Sequence, residues 1–160
     1  MNVKADEINE EAFGAMIQKA KGMFDYIFMD AAAGIDAGFR LTAMNADRVF
    51  VITNSDPASI RDAGQTRQLL ELMGKTDVKL IVNRVSRKLF ATMSVTVDDV
   101  MDTAGLPLIG VVPEDQNVTL AAAFGTPLIA HTNRGAAKAC AAIARRLEGR
   151  RIPLSIFDIF

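Results

Sequence analysis

Two spacings of apolar residues alternate along the chain, and each predicts a different element. Over residues 6–21, Ile8, Ala12, Ala15, Met16 and Ala20 recur at helical spacing, with acids early and lysines late as the helix dipole favours. Gly22 ends that run. Residues 24–29 are apolar on both faces, the pattern of a buried parallel strand, and stop at Asp30. A second strand is expected over 48–53. A helix over 57–73 follows, with Ile60, Leu69, Leu70 and Met73 facing inward and Gly74 closing it. A third strand over 78–82 ends at Asn83. A short helix over 96–104 is opened by Thr96 as a cap, and a strand over 106–112 is broken by Pro113. Helices over 115–124 and 133–147 complete the pattern. Such alternation predicts an α/β fold, a mostly parallel sheet with flanking helices joined by right-handed crossovers. No repeat of fixed period and no low-complexity linker interrupts it, so residues 1–150 read as one domain and 151–160 as a tail.

Composition narrows the class. Half of the 160 residues are apolar and 23% are charged, enough for a buried core. Lys and Arg number 18 against 19 Asp and Glu, and a net charge of -1 argues against nucleic acid as a partner. Cys140 is the sole cysteine and His131 the sole histidine, which excludes an internal disulfide and a Cys- or His-based metal cluster. This usage predicts a globular protein of a reducing, cytoplasmic compartment. Cys140, set among alanines, reads as a small core residue, and His131 as a surface residue. Every apolar run is shorter than the roughly 20 residues of a membrane span, and the acidic, polar residues 1–11 do not read as a signal peptide.

In parallel sheets ligands bind beyond the carboxyl ends of the strands, so the residues that follow each strand carry the candidate chemistry. They are Asp30 with the small residues to Gly34, then Thr53 to Pro57, Asn83 with Arg84, and Pro113 with Glu114 and Asp115. The Asp30 carboxylate suits Mg²⁺ held through its water shell, while Gly34 lets a backbone N–H approach a phosphate. On spacing alone, capping of the next helix explains Asp30 equally well. The Asn83 amide can both donate to and accept from a purine edge, and the Arg84 plane can stack on a base. Pro113 and Asp115 would form the opposite wall. Asn, Pro and Asp also favour turns in their own right, so a plain turn competes with each assignment.

A family resemblance separates these readings. Residues 24–30, with Ala31, Ala32, Ala33, Gly34 and Ile35 after them, resemble the Walker B and switch II segment of the MinD family. These are the division-site ATPases of the ParA/MinD deviant-Walker (SIMIBI) P-loop NTPase group. The stretch from Ile60 through Arg61 and Asp62 to Ala63, the strand end at Asn83 and Arg84, residues 93–100, residues 107–115 and residues 125–128 follow the family in order. The similarity covers about residues 20–155 and implies a partial P-loop nucleotide-binding domain over 1–150. It implies ATP or ADP with Mg²⁺ as cofactors in the intact family member. Asp30 would be the Walker B carboxylate near Mg²⁺, Gly34 the γ-phosphate-sensing glycine, Asn83 and Arg84 the adenine contacts, and Pro113 and Asp115 the other side of the base. Asp62 would belong to the surface that meets MinC-like and MinE-like partners. A homodimer and a peripheral contact with the inner face of the cell membrane are implied as well.

The departures are as informative. No Lys-Gly-Gly-x-Gly-Lys-Thr run occurs in the 160 residues, and that loop cradles and neutralises the phosphates. The chain is therefore expected to be the C-terminal portion of a MinD-like protein, to hydrolyse no appreciable ATP alone, and to carry no catalytic residue of its own. It is expected to pair with itself or with a complementary N-terminal fragment. Ala32 stands where the family usually has proline. The arginines over 134–151 form a basic end, which a helix dipole and solvent explain better than a membrane does. Two other functions remain: a ParA-type partition or flagellar-number ATPase, and a non-catalytic binding or dimerisation module.

Overall fold

The computed structural model describes residues 9–31, 34–86, 88, 92 and 96–154. Its centre is a three-stranded parallel sheet of β1 (Val49–Thr53), β2 (Val78–Val85) and β3 (Leu108–Pro113), with β2 in the middle. The helices are α1 (Glu10–Lys21), α2 (Ala37–Asn45), α3 (Pro57–Leu72), α4 (Val97–Ala104), α5 (Gln116–Ala123), α6 (Leu128–His131) and α7 (Gly135–Leu147). The expected α/β class and the parallel sheet are therefore present.

Strand alternation decides which helix covers which face. Val78, Leu80 and Val82 project from one face of β2 into a cluster with Ile60, Ala63 and Leu70 of α3 and with Val97, Val100 and Ala104 of α4. Leu70, Leu80, Val82 and Val100 there have no solvent exposure. Val111 of β3 joins this cluster, so Gly110 beside it faces the other way. A Cβ on Gly110 would lie 2.2 Å from Cγ1 of Ile143, which shows how closely α7 approaches β3. The alanine face of α7 (Ala136, Ala137 and Ala139) permits that approach.

Local signals set the ends of the elements. Asp56 caps α3 through Ser59 N at 2.9 Å, and Pro57 occupies its first turn. Thr96 and Asp99 close a reciprocal capping box on α4, and Gly105 ends it at φ 66. Both edges of the sheet lack a further strand among the described residues, but they are finished differently. At β3, the Arg146 guanidinium donates to Ile109 O at 2.9 Å, to Ile152 O at 2.9 Å and to Pro153 O at 2.7 Å. It thereby ties the chain after α7 beside that edge. No comparable clamp covers β1 among the described residues.

Two expectations need correction, and two features go beyond what the sequence predicts. Residues 24–29 form no strand. They keep a strand's alternation, with Phe24, Tyr26 and Phe28 exposed and Ile27 and Met29 half-buried, yet no ladder partner lies beside them among the described residues. A parallel strand without a partner leaves its main chain to water. The inward face of α1 is Phe13, Ile17 and Ala20, and Met16 is 55% exposed. Helix α2, with Asp36 as its cap and Phe39, Leu41 and Ala43 buried, was not expected at all. Cys140 is exposed, because the buried stripe of α7 runs through its alanines and Ile143 instead. The expected start of α1 at 6–8, position 32 and the tail over 155–160 lie outside the described residues.

We expect Gly110→Ala to destabilise the fold by about 1–3 kcal/mol through overpacking against Ile143, and Ile143→Ala, which removes Cγ1, to cost less in the Gly110→Ala background than in wild type. Urea denaturation of the three variants checks it. Gly110→Ala with unchanged stability would show that α7 can lift from β3.

Candidate functional site: the carboxyl ends of the strands

β2 and β3 end side by side. Val85 pairs with Pro113, Glu114 N donates to Val85 O at 3.0 Å, and Arg84 Nη2 reaches Glu114 Oε1 at 3.1 Å. Asn83, Arg84, Pro113 and Asp115 are thus brought to one corner of the sheet. The ladder register shifts between Val82 and Val85, so Asn83 and Arg84 occupy an irregularity of the strand. Arg84 has φ 53, the one non-glycine residue with positive φ among those described. A bulge of this kind re-aims side chains at a strand end, and a left-handed arginine stores backbone strain. The Asn83 side chain is half-buried and makes no protein hydrogen bond among the described residues. The Arg84–Glu114 pair is exposed on both sides and contributes little to stability.

Asp115 is held more firmly. Its Oδ1 accepts from Asn117 N at 2.9 Å and from Asn117 Nδ2 at 2.8 Å, and its Oδ2 accepts from Ala136 N at 3.0 Å. One carboxylate thereby caps α5 and also binds the first turn of α7. Gly135, at φ 51, makes this possible, since a Cβ there would lie 2.3 Å from Asp115 Oδ2. The amides of Asn117 and then Ala136 hold the Asp115 carboxyl below the usual carboxylate range, against the opposing cost of desolvation. Three of its roughly four acceptor positions are occupied, which leaves one for a ligand.

Asp30 and Gly34 lie elsewhere, along a groove whose far wall is β1. Asp30 is exposed, and Gly34 has φ 108. No cluster of three metal-ligating side chains occurs among the described residues, so Asp30 would offer Mg²⁺ a single carboxylate. That donor set fits a cation that keeps most of its waters and takes its other ligands from phosphate oxygens. Asp62 is exposed on α3. Sequence reasoning assigned no role to Glu114 or Gly135. Glu114 stands between two residues it did select, and an acid next to a strand-end arginine's neighbour is the signal that was available.

A parallel sheet with helices on both faces and polar groups at its carboxyl edge is a doubly wound α/β arrangement, and the solved structures it superposes on include MinD and ParA-family ATPases. No protein-family model matches the chain. Among known proteins, the septum site-determining protein MinD of Synechocystis is 35% identical over 158 residues, 98% of this chain and 59% of the relative. The crystallised MinD of Aquifex aeolicus superposes with a TM-score of 0.87 at 32% identity, covering 92% of this chain and 64% of that one. The same protein in a MinC:MinD complex matches equally well. A MinD from Pyrococcus horikoshii complexed with Mg-ADP shares the fold at 20% identity and a TM-score of 0.77. The chain is a homologue of the MinD septum site-determining proteins, and it spans less than two thirds of the length of these relatives.

Two tests probe the corner. Both Arg84→Ala and Arg84→Gly lose the ion pair, but only alanine keeps a Cβ in the left-handed region. The glycine variant is expected to be the more stable by about 1 kcal/mol, and alanine matching it in thermal denaturation would remove the strain argument. For Asp115, the lowered carboxyl contributes stability that is present above its unfolded pKa, about 3.9, and lost as pH falls through the folded value. The advantage of wild type over Asp115→Asn should be largest near pH 7 and should narrow below about pH 4 in denaturant titrations.

Proposed function

We propose that this chain carries the base-facing and metal-facing part of an ATP site of the MinD type, serving bacterial division-site selection. The observation that carries the proposal is the irregular strand end at Asn83 and Arg84, in a homologue of MinD. There a free amide and a left-handed arginine face the Pro113–Asp115 turn across one ladder step. Asn83 would read the purine edge and Arg84 would cover the base. Pro113 and the remaining acceptor position of Asp115 would close the other side. Asp30 would orient a hydrated Mg²⁺, which when bound would neutralise phosphate charge, and Gly34 would bring its N–H to the terminal phosphate.

Dimerisation across the nucleotide, contact with a MinC-like or MinE-like partner through the α3 surface around Asp62, and a peripheral membrane position belong to the same proposal. The MinC:MinD complex of Aquifex aeolicus supports the MinC part of it. Among the described residues no helix is long and apolar enough to cross a membrane.

These 160 residues contain no glycine-rich lysine loop, and phosphate contacts supply much of the stabilisation in phosphoryl transfer. The chain alone should therefore bind ADP and ATP with similar affinity and turn neither over. In a calorimetric titration, Asn83→Ala should weaken ADP binding about fivefold to tenfold, the range expected for a lost buried hydrogen bond. Identical affinity in Asn83→Ala, or ATP turnover at the rate of an intact MinD, would overturn this reading.

A further inference from the structure

Arg84 and Asp115 have tasks in the function proposed above, whereas Glu114, which lies between Pro113 and Asp115, has none. Its main chain is firmly fixed. Glu114 N donates to Val85 O at 3.0 Å, and Pro113 before it pairs with Val85. Asp115 after it is bonded to Asn117 N and to Ala136 N. A side chain mounted on such a turn starts from a fixed point.

Arg84 is placed in the opposite way. It stands in the irregular register between Val82 and Val85 with φ 53, and 67% of its side chain is in solvent. A free arginine on a surface samples many rotamers and loses that freedom when a ligand needs it in one place. One contact restrains it: Nη2 lies 3.1 Å from Glu114 Oε1. Its side chain makes no other hydrogen bond or ion pair among the described residues.

Both partners are exposed, so the pair adds little to folding stability, and a left-handed backbone at a residue with a Cβ subtracts from it. Stability therefore accounts for neither the strain nor the pair. Placement of the guanidinium accounts for both. The contact engages one end of the fork and leaves the planar face and the other donors unspent.

We infer that Glu114 is a positioning residue for nucleotide binding: its carboxylate, carried on the braced turn, holds the Arg84 guanidinium over the base site before a ligand arrives. The inference rests on the function proposed above and makes the ion pair, not Arg84 alone, the wall of the site. Such preorganisation reduces the ordering cost of binding.

Charge gives this role a sign of its own. Nucleotide phosphates are anionic, so a bystander carboxylate near the site repels them and its removal tightens binding. A carboxylate that places Arg84 acts the other way, and its removal loosens binding.

The test measures ADP affinity by calorimetry on the full chain, with urea unfolding of each variant. Glu114→Ala should weaken ADP binding about threefold to tenfold, the range for ordering one rotamer-rich side chain. Glu114→Gln lacks the charge as well, but its amide oxygen still accepts from Arg84, so it should recover part of the loss. In the Arg84→Ala background, Glu114→Ala should no longer weaken binding. The urea midpoints of Glu114→Ala and wild type should coincide. Unchanged or tighter ADP binding in Glu114→Ala would overturn the inference. So would an equal loss with and without Arg84, or a loss matched by a lowered urea midpoint. Asn83→Ala separates this inference from the reading beneath it. If Asn83→Ala weakens ADP binding and Glu114→Ala does not, the inference alone falls; if wild type binds no ADP, both fall.

Discussion

Leu80 and Val82 are sealed from solvent because β2 is hydrogen-bonded along both edges and roofed by α3 and α4. That doubly bonded strand is the constraint from which the rest follows. β3 ends level with it at the Val85–Pro113 pair, so the residues after β2 and β3 meet without any further device. The Val85–Pro113 pairing and the bond from Glu114 N to Val85 O are the last rungs of the same ladder that buries the core. Core and corner are therefore one construction, and the corner's geometry is inherited from the packing behind it.

Inheritance of this kind explains the tension visible at the corner. A regular strand would alternate Asn83 and Arg84 to opposite faces and continue into the turn. The register shift and the left-handed φ of Arg84 break that alternation at the two residues that the strand-end argument had singled out. Asp115 shows the opposite arrangement. It is relaxed and almost saturated with donors, and it joins two helix starts that are distant in sequence. The corner thus combines a strained wall with a braced one, and rigidity on one side allows the other to hold an unfavourable conformation.

Much of this was legible in the sequence, for physical reasons that differ by element. β1, β2, β3, α3 and α4 were visible because each carries two agreeing signals, an apolar period and a capping or breaking residue. Asp56 with Pro57 and Thr96 with Asp99 are the clearest cases. Helix α2 was missed although Asp36 caps it, because its apolar stripe is short and glycine and threonine interrupt it. The helical spacing over α1 does not choose its buried face. Alanine fits either face of a helix, and the bulkier Phe13 and Ile17 decided the matter. Clustering of the strand ends could be read from the parallel-sheet rule. The strain at Arg84 could not, since nothing in an arginine's identity foretells a positive φ. Asp115's second bond, to Ala136, depends on a meeting of segments that only the folded chain brings about.

Residues 24–29 are the instructive failure. Their composition is that of a buried strand, and their exposure still alternates as one, so local preference is not what defeated the expectation. Strand formation is a property of pairs, and the pairing rule was left out of the count. The two sheet edges make the same point from the other side. β3 is finished by a guanidinium that spends its donors on Ile109, Ile152 and Pro153, satisfying one edge carbonyl with no strand at all. Among the described residues β1 has neither a strand nor a clamp, and it faces a wall that has the right alternation at a groove's width. An edge that a fold means to leave bare is ordinarily blunted by charge, proline or a bulge. Phe50 and Ile52 carry none of these, and the acids of the groove stand at its margins instead of on the edge itself.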